Sequence, residues 1–285
     1  LTIKLCNSGS MIINGEYISK FIHAIKNNNR KEEYYLTDII QIATKNGHFC
    51  TYIKGDEEEL IGVDTRIDLA NAEQIFQKRT RKAVLLGGAS LTDPSSVFFS
   101  WDTKIGKDVI IGPNVIFGPE VKIENNVTIK AFCHIEGTLI SKNAIIGPFA
   151  RLRPKSRIGE EAHIGNFVEI KNTTLKARVK ASHLSYIGDA SIENSTNIGA
   201  GTITCNFDGI SKHKTKIGKE VFIGSNTALI APIKIGDKAT IGAGSVITKN
   251  IPSYSLGLTR TLQKEISNWK TGHLKVQNKM PNRKK

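Results

Sequence analysis

The sequence predicts a solenoid of short parallel β-strands, preceded by a small region that mixes helices and strands. From residue 105 to 247 an aliphatic or aromatic residue returns at about every sixth position, with a few slips of one residue. A glycine often follows this apolar residue, and a small or β-branched residue often comes four positions after it. A period of six fits neither an α-helix nor a simple alternating strand, whereas each hexad can supply one strand and one corner of a coil.

The hexads define the extent of the solenoid. Their apolar members are Ile105, Ile111, Phe117, Ile123, Ile129, Ile135, Ile140, Ile146, Leu152, Ile158, Ile164, Ile170, Leu175, Ala181, Ile187, Ile192, Ile198, Ile217, Ile223, Leu229, Ile235, Ile241 and Ile247. The series pauses at 204–215 and then resumes, which predicts a functional loop carried on a stacked scaffold. We therefore expect an N-terminal region at 1–85, a linker at 86–104, the solenoid at 105–252 and a basic tail at 253–285.

The N-terminal region is predicted to contain both helices and strands. Helical spacing of apolar residues predicts helices at Glu16–Lys26, Tyr35–Lys45 and Arg66–Lys82. Alternation of apolar and polar residues predicts strands at Ile3–Asn14 and Phe49–Lys54. The expected region is therefore a small α/β piece.

The composition is that of an ordinary soluble protein. Of the 285 residues, 39% are hydrophobic and 23% are charged. The chain has no run of 18 or more apolar residues and no charged segment followed by a hydrophobic run at its start, so we expect a cytoplasmic protein without a membrane partner. The four cysteines are scattered and form no CxxC pair, so neither a disulfide framework nor a zinc site is indicated.

The formal net charge of +14 allows two interpretations. Basic surfaces neutralise phosphates, so nucleic-acid binding is one of them. However, the charge is dispersed, aromatic residues make up only 7% of the chain, and no nucleic-acid recognition module is visible. We therefore expect an anionic small-molecule substrate and no nucleic-acid partner.

An unusual set of polar residues lies in the middle of the hexads. It consists of Arg151, Arg153, His163, Asn166, Glu169, Lys171, His183, Tyr186 and Asn197, followed by the loop. Arginine and lysine supply the fixed cations that a phosphate needs, and histidine supplies a base for acyl transfer to an amine. Three hexads would bring equivalent positions of successive coils together, so Arg153 and Lys171 are expected to stack, with an anion between them.

Four segments of this region resemble one family closely. They are Gly-Pro-Phe-Ala-Arg-Leu-Arg-Pro at 147–154, Gly-Asn-Phe-Val-Glu-Ile-Lys at 165–171, Ala-Ser-His-Leu-Ser-Tyr-Ile-Gly-Asp at 181–189, and Asn-Ile-Gly-Ala-Gly-Thr-Ile-Thr-Cys-Asn at 197–206. They resemble the acetyltransferase domain of the bacterial bifunctional glucosamine-1-phosphate N-acetyltransferase/N-acetylglucosamine-1-phosphate uridyltransferase family. The resemblance extends from Ile3 to Trp269. It implies a left-handed parallel β-helix, assembled as a homotrimer with active sites between subunits, preceded by a partial α/β nucleotidyltransferase domain.

The resemblance also implies roles for individual residues. His183 matches the general base that takes the proton of the 2-amino group as it attacks acetyl-CoA, and Glu169 matches a carboxylate near this base. The implied contacts to glucosamine 1-phosphate are Arg153, Lys171, Tyr186, Asn197 and Lys212. The implied contacts to acetyl-CoA are the backbone of Ala200 and the residues Asn206, Phe207, Ser225, Ala243 and Arg260. Phe207 departs from the family, which often has tyrosine there.

Residues 1–85 resemble the later half of the uridyltransferase domain of the same family. Asn7 matches a uridine-sugar contact, Tyr35 and Thr37 belong to the matching wall of the sugar pocket, and Asp64 matches a Mg²⁺ ligand that is asparagine in the family. The family's nucleotide loop and first metal-binding aspartate have no counterpart in this sequence. We therefore expect an N-terminally truncated member that does not make UDP-N-acetylglucosamine alone, and that uses Mg²⁺ only if a separate N-terminal half completes the site.

Four alternatives stay open. His163, His183 and His213 have the composition of a zinc site like that of the γ-class carbonic anhydrases. Cys205 is a possible nucleophile for a covalent acetyl-enzyme. A different hexapeptide acyltransferase, with another sugar or an acyl carrier protein, would share the solenoid. A non-catalytic assembly partner for a separate uridyltransferase half would share it as well.

Overall fold

The computed structural model describes residues 6–267 and residue 269. The chain divides into two compact units between Phe76 and Gln77. The helices are α1 (Gly15–His23), α2 (Asp38–Lys45) and α3 (Arg66–Leu86), and short 3₁₀ turns lie at Glu57–Glu59 and Pro94–Ser96. Most of the predicted basic tail and the first residues of the predicted strand Ile3–Asn14 lie outside the described residues. Among the described residues, no helix has the length and apolar character of a membrane-spanning segment.

The first unit has a small core between α1 and α2. Phe21 of α1 and Ile39 and Ala43 of α2 are buried against each other. Asn14 caps α1, because its side-chain oxygen accepts a hydrogen bond from the backbone N–H of Glu16 at 3.0 Å. All three helices predicted from the sequence are confirmed.

The strands predicted in this unit are wrong. Neither 6–14, the described part of the first predicted strand, nor Phe49–Lys54 forms a strand. Phe49 and Ile53 are both 91% exposed, so the apolar side of the alternating pattern does not pack on a core. A strand also needs a neighbour with which to exchange backbone hydrogen bonds, and the adjoining elements of the unit are helices. The described first unit is therefore helical, and the α/β character predicted for it is corrected.

The second unit contains 26 short strands within its described residues. They are β1 (Ser90–Leu91), β2 (Lys104–Ile105), β3 (Ile110–Ile111), β4 (Ile116–Phe117), β5 (Lys122–Ile123), β6 (Thr128–Ile129), β7 (His134–Ile135), β8 (Thr138–Ile140), β9 (Ile145–Ile146), β10 (Arg151–Leu152), β11 (Ser156–Ile158), β12 (His163–Asn166), β13 (Glu169–Lys171), β14 (Thr174–Leu175), β15 (Lys180–His183), β16 (Tyr186–Gly188), β17 (Ala190–Ile192), β18 (Asn197–Ile198), β19 (Ile203–Cys205), β20 (Thr215–Ile217), β21 (Phe222–Ile223), β22 (Ala228–Ile230), β23 (Ile233–Ile235), β24 (Thr240–Ile241), β25 (Val246–Ile247) and β26 (Leu256–Gly257). Parallel pairing starts at β1, inside the predicted linker, and ends at β26, beyond residue 252. The paired strands therefore extend from Ser90 to Gly257.

These strands form three parallel sheets, which are the three sides of the coil. Face A is β1-β3-β6-β9-β12-β15-β18-β21-β24-β26, face B is β4-β7-β10-β13-β16-β19-β22-β25, and face C is β2-β5-β8-β11-β14-β17-β20-β23. On face B, Arg151 pairs with Glu169 of the next coil, and Glu169 pairs with Tyr186 of the coil after that. We call the coil that contains the loop the long coil. It runs from Asn197 to Phe222, which pairs with Asn197 in register on the next strand of face A. Because every third strand from β3 to β24 joins face A, the predicted three-sided parallel solenoid is confirmed.

The hexad residues fill the interior of the coil. The largest fully buried side chains are Ile111, Ile129, Ile135, Ile140, Ile146, Leu152, Ile158, Ile164, Ile170, Leu175, Ile187 and Ile192. Because successive side chains of a strand point to opposite sides, each buried hexad residue has an outward neighbour. Lys122, for example, faces outward beside the buried Ile123. The inward positions therefore form the core, and the outward positions are free to vary.

Candidate active site

The residues predicted from the sequence lie in two groups on neighbouring coils. The first is at or beside the corner that joins face A to face B, which we call the AB corner, and contains His183, Asn197, Ala200, Ser225, Ala243 and Arg260. The second is on face B and in the long coil, and contains Arg153, Glu169, Lys171, Tyr186, Asn206, Phe207 and Lys212. Between the two groups, only Leu184 and Ser185 separate His183, at the end of β15, from Tyr186, at the start of β16.

His183 has a defined hydrogen-bond partner. Its exposed imidazole lies with Nδ1 2.7 Å from Oδ1 of Asn166. Asn166 ends β12 and is paired in register with His183 one coil later. On the same face, burial lowers the pKa of His163, and the charges of Lys130 and Lys180 lower it further. No role was predicted for Asn166 from the sequence, although its spacing of one coil from His183 was a usable signal.

Glu169 contacts a guanidinium. Its carboxylate accepts a hydrogen bond from Nη1 of Arg153 at 2.7 Å, and this bond raises the pKa of Arg153. Arg153 and Lys171 occupy equivalent places in adjacent coils, as the neighbouring pair Leu152 and Ile170 shows. The structure thus pairs Glu169 with Arg153, and a role for Glu169 beside the base stays a prediction.

Two lysines meet beside face B. The amine of Lys171 lies against that of Lys212 and lowers the pKa of Lys212, first by hydrogen bonding and then by charge repulsion, while Asp189 and Tyr186 act in the opposite direction. The phenol ring of Tyr186 lies over Gly188, where a β-carbon would come within 2.5 Å of the hydroxyl. Two adjacent ammonium groups favour a dianion such as a phosphate. We call Lys171, Tyr186, Asp189, Asn206 and Lys212 the lysine pocket.

Asp189 holds the base of the loop. Its buried carboxylate accepts hydrogen bonds from the side-chain amides of Asn172 and Asn206. Its backbone carbonyl accepts a hydrogen bond from Thr215, where the loop ends, at 3.2 Å. One residue therefore fixes both ends of the loop beneath Lys212. This role of Asp189 was not predicted, because in the sequence Asp189 stands out only as part of a motif.

The loop has internal structure of its own. The carboxylate of Asp208 accepts hydrogen bonds from two backbone amides of the loop at 2.7 and 2.8 Å, and lies 2.6 Å from Nε2 of His213. These bonds hold the pKa of Asp208 far below its usual range. Phe207 forms an antiparallel bridge with Lys212, and its ring is 60% exposed. The loop therefore presents a cation and an aromatic ring side by side.

The geometry gives little support to a zinc site at the three histidines or to Cys205 as a nucleophile. The imidazole of His213 contacts Asp208, whereas His163 and His183 lie on face A. In the part of the chain that the structure describes, no three His, Cys, Asp or Glu side chains are grouped so that they could hold a metal ion. Burial raises the pKa of the Cys205 thiol, which lowers its content of the nucleophilic thiolate.

Three predicted acetyl-CoA contacts form a row along the AB corner. The amide of Asn226, next to Ser225, donates to the carbonyl of Ala200 at 2.7 Å, and the amide of Gly244, next to Ala243, donates to that of Ser225 at 2.8 Å. Ala200, Ser225 and Ala243 therefore occupy equivalent places in successive coils. Within the described residues, the amide of Ala200 donates to no protein acceptor. The guanidinium of Arg260 lies beside Gly242, at 3.6 Å from the place of an added β-carbon. The row therefore combines free backbone donors with a cation near its end.

An exposed apolar ladder continues the AB corner on the other side of His183. The rings of Phe132, Phe149 and Phe167 stack with centroids 4.9 and 5.1 Å apart, and Leu184 follows in the next coil. These four side chains are 44–61% exposed. Each has φ between 48° and 61°, a conformation uncommon for bulky residues. This row was not predicted from the sequence, although its phenylalanines recur once in each coil.

The predicted uridyltransferase residues lie in the first unit, on separate segments. Asn7 lies before α1 and accepts a hydrogen bond from the amide of Gly9, Tyr35 and Thr37 lie just before α2, and Asp64 is exposed shortly before α3. Mg²⁺ requires several oxygen ligands in octahedral geometry, and the described residues around Asp64 form no such group. These residues do not fit a magnesium site by themselves.

The repeats of the solenoid match two known family models. Residues 102–137 and 137–172 match the family model described as bacterial transferase hexapeptide (six repeats). Residues 214–249 match the model for the hexapeptide repeat of succinyl-transferase. The solenoid is built from hexapeptide repeats.

Whole-chain comparison is more specific. The bifunctional protein GlmU of Paramagnetospirillum magneticum is 53% identical over 265 residues, which are 93% of this chain and 59% of that protein. GlmU of Paracoccus denitrificans is 49% identical over 261 residues, 92% of this chain and 58% of that protein. The chain is similar to GlmU along almost its whole length. It spans less than three fifths of the length of these curated relatives.

The similarity to GlmU confirms the resemblance predicted from the sequence. It also confirms the left-handed, hexapeptide-repeat β-helix. Among solved structures, the UDP-N-acetylglucosamine O-acyltransferase LpxA from Moraxella catarrhalis aligns with a TM-score of 0.39 and 20% identity, covering 59% of this chain and 68% of that chain. The roles of the individual site residues and the predicted domain boundaries stay predictions.

Proposed function

We propose that this chain transfers an acetyl group from acetyl-CoA to the 2-amino group of glucosamine 1-phosphate. The product would be N-acetylglucosamine 1-phosphate, a precursor of UDP-N-acetylglucosamine and thus of peptidoglycan and lipopolysaccharide. The observation that carries the proposal is an exposed, hydrogen-bonded imidazole at the AB corner with a pair of lysines beside the adjoining face B. The similarity to GlmU supports the choice of sugar phosphate and acyl donor.

The reaction is a direct transfer in a ternary complex. The amine nitrogen attacks the thioester carbon, and His183 accepts a proton from that nitrogen as the C–N bond forms. The C–S bond then breaks, and coenzyme A leaves as a thiolate that takes up a proton. General base catalysis of this kind typically contributes about 10²–10⁴ in rate. His183 suits the task because its side chain is exposed and held by Asn166.

The lysine pocket would hold the sugar phosphate. Lys171 and Lys212 supply two adjacent cations, and Tyr186 lies close enough to act on the charge of Lys212. Arg153 is a third cation on the same face and is held by Glu169. A phosphate in this pocket would relieve the repulsion between the lysines, which favours binding of the dianion. Glucosamine without a phosphate would lose these contacts.

The row of Ala200, Ser225 and Ala243 would hold acetyl-CoA. The free amide of Ala200 lies one coil beyond His183 and is placed to stabilise the oxyanion that forms on the thioester carbonyl. A preorganised donor of this kind typically contributes on the order of 10²–10³ in rate. Arg260, beside Gly242, would contact a phosphate of the coenzyme, and Asn206 and Phe207 would contact it from the loop.

The working unit is proposed to be a cytoplasmic homotrimer. Stacked aromatic side chains on a surface usually mark a covered surface, and the ladder of Phe132, Phe149 and Phe167 lies next to His183. A neighbouring copy seated on this ladder would shield the imidazole from water. The active site would then be shared between subunits, as closed cyclic assembly allows.

A thiol-release assay tests the proposal. Purified full chain, acetyl-CoA and glucosamine 1-phosphate should release coenzyme A, and the same reaction with unphosphorylated glucosamine should release much less. Mass spectrometry of the sugar should show one added acetyl group. Release with a different acceptor sugar would indicate another hexapeptide acyltransferase. If no acceptor gives coenzyme A, the chain is better explained as an assembly partner.

A further inference from the structure

We propose that Asn166 is a positioning residue that holds His183 in the tautomer with hydrogen on Nδ1 and a free lone pair on Nε2. The inference rests on the proposed function, because it assigns a step within the same acetyl transfer. It adds a residue to which the sequence analysis gave no role, and it explains how the imidazole is kept ready to accept a proton.

The tautomer follows from the chemistry of the contact. The amide oxygen of Asn166 accepts hydrogen bonds and never donates them, so the 2.7 Å contact to Nδ1 of His183 requires a hydrogen on Nδ1. A neutral imidazole with hydrogen on Nδ1 has an unprotonated Nε2. The reverse arrangement, in which the amide nitrogen donates to Nδ1, would put the hydrogen on Nε2 and leave no base. The two arrangements therefore differ in activity and can be told apart.

The solenoid fixes both partners of this hydrogen bond. Asn166 and His183 are paired in register on adjacent strands of face A, and the amide of Leu184 donates to the carbonyl of Asn166 at 3.0 Å. The coils approach unusually closely at this point, since a β-carbon on Gly165 would lie only 1.9 Å from the carbonyl oxygen of Ser182. The side chains are therefore held on neighbouring strands of a rigid sheet, which makes the bond a lasting constraint on the ring.

An uncharged partner suits a base that must release its proton after each cycle. The ionisable groups that face this part of the corner are His163 on β12, Lys180 on β15 and Lys130 after β6, while β18 presents the neutral Asn197. Across the corner, the carboxylate of Glu169 is held by Arg153. A carboxylate hydrogen-bonded to the ring would favour the protonated form of the imidazole. The amide of Asn166 selects the tautomer without adding charge.

Kinetics of three variants test the inference. Asn166→Ala should lower kcat by about 10–100-fold, the effect known for loss of the hydrogen-bond partner that orients a metal-bound histidine, with KM for glucosamine 1-phosphate little changed. Asn166→Asp keeps an acceptor for Nδ1–H, so it should recover much of kcat, and the acid limb of its pH–rate profile should move to higher pH. Asn194→Ala is the matched control, because the side chain of Asn194 also bridges two coils, accepting from the amide of Ala177 at 3.0 Å, but it lies between β17 on face C and β18 on face A and not at the AB corner. It should leave kcat and the profile unchanged.

A spectroscopic measurement separates this inference from the proposed function. In the full chain labelled with ¹⁵N-histidine, the signals of His183 are assigned by their loss in His183→Gln. Ring ¹⁵N shifts should show Nδ1 protonated and Nε2 unprotonated in the parent chain, and a mixture of tautomers in Asn166→Ala. A parent chain with the hydrogen on Nε2 would overturn the inference whatever the activity. The expected tautomer in a chain that acetylates no sugar would instead remove the proposed function and leave the hydrogen bond intact. Equal kcat for Asn166→Ala and the parent would show that the bond is only structural.

Discussion

The AB corner and face C belong to the same coils, yet they present opposite surfaces. The interior is alike on both sides, since Ile170 of face B and Ile158 of face C are fully buried. The outward residues of face C are, in order, Lys104, Lys122, Leu139, Arg157, Thr174, Ser191, Lys216 and Lys234. Five of these eight are cations and none is an acid. Along the AB corner the corresponding row is the apolar ladder next to His183.

Faces A and B share the apolar character of the corner. Their exposed apolar residues are Ile110, Ile116, Ile145, Ile203, Phe222, Val246 and Leu256. Because exposed apolar rows favour burial and lysines favour water, we expect the proposed trimer to bury the AB side and to leave face C in solvent. Inward residues thus determine the fold of the coil, while outward residues determine whether each face contacts solvent or another molecule.

The largest expected effect is loss of the base at the AB corner. His183→Ala should lower kcat for acetyl transfer by about 10²–10⁴-fold, because it removes the proposed acceptor of the amine proton, while KM changes little. Arg157→Ala on face C should leave kcat unchanged. Steady-state release of coenzyme A measures both variants, and intact turnover in His183→Ala would show that the base is assigned wrongly.

Core substitutions on the two sides should have similar effects on stability. Ile170→Ala and Ile158→Ala each create a cavity in a fully buried position, so each should lower the free energy of unfolding by about 2–5 kcal/mol. Denaturant unfolding at one fixed protein concentration measures this. A large loss on one side with almost none on the other would contradict the view that all three sides share one core.

Assembly should depend on the corner and not on face C. Phe149→Asp places a charge in the stacked ladder, so it should shift the chain from trimer towards monomer in light scattering after gel filtration. Lys122→Asp makes a larger change in charge on face C and should still leave the trimer intact. If Lys122→Asp dissociated the assembly while Phe149→Asp did not, the covered side would be face C.

The smallest expected effect is on the pH dependence of substrate binding. The neighbouring amine of Lys171 lowers the pKa of Lys212, so Lys212 loses its positive charge at a lower pH than an ordinary lysine as the pH rises. KM for glucosamine 1-phosphate should therefore begin to increase at a lower pH than the titration of an ordinary lysine would cause, while kcat changes less. Lys212→Ala should raise KM and remove this increase, whereas Lys216→Ala on face C should preserve the profile of the parent chain.

The sequence predicted the inward half of the structure well, for a physical reason. One aliphatic residue is needed for each strand, so residues such as Ile164 and Ile170 mark the strands directly. The contacts between coils were harder to predict, because the coils are not all of one length and their lengths decide which side chains meet. The hydrogen bond between Asn166 and His183 depends on that length. So does the contact between Asp189 and Asn206.

Two other differences have separate causes. Alternation at Phe49–Lys54 predicted a strand, but alternation forms a sheet only where a partner strand is available. Phe149 and its stacked neighbours lie at corners with left-handed φ, where small or polar residues are usual, so the hexad pattern gave no reason to expect aromatic rings there.

The long coil shows how such a scaffold can acquire new chemistry. Asn197 with Phe222, Ser191 with Lys216, and Ile203 with Ala228 are all offset by the same length of chain. The added segment therefore projects from a single corner, and the strand pairing on all three faces keeps the same register across it. A gene could lengthen, shorten or replace this segment in one event without repacking a single isoleucine. The same holds for protein engineering. A foreign peptide inserted between Asn206 and Thr215, with Lys212 retained, would be displayed beside the lysines on an otherwise unaltered β-helix.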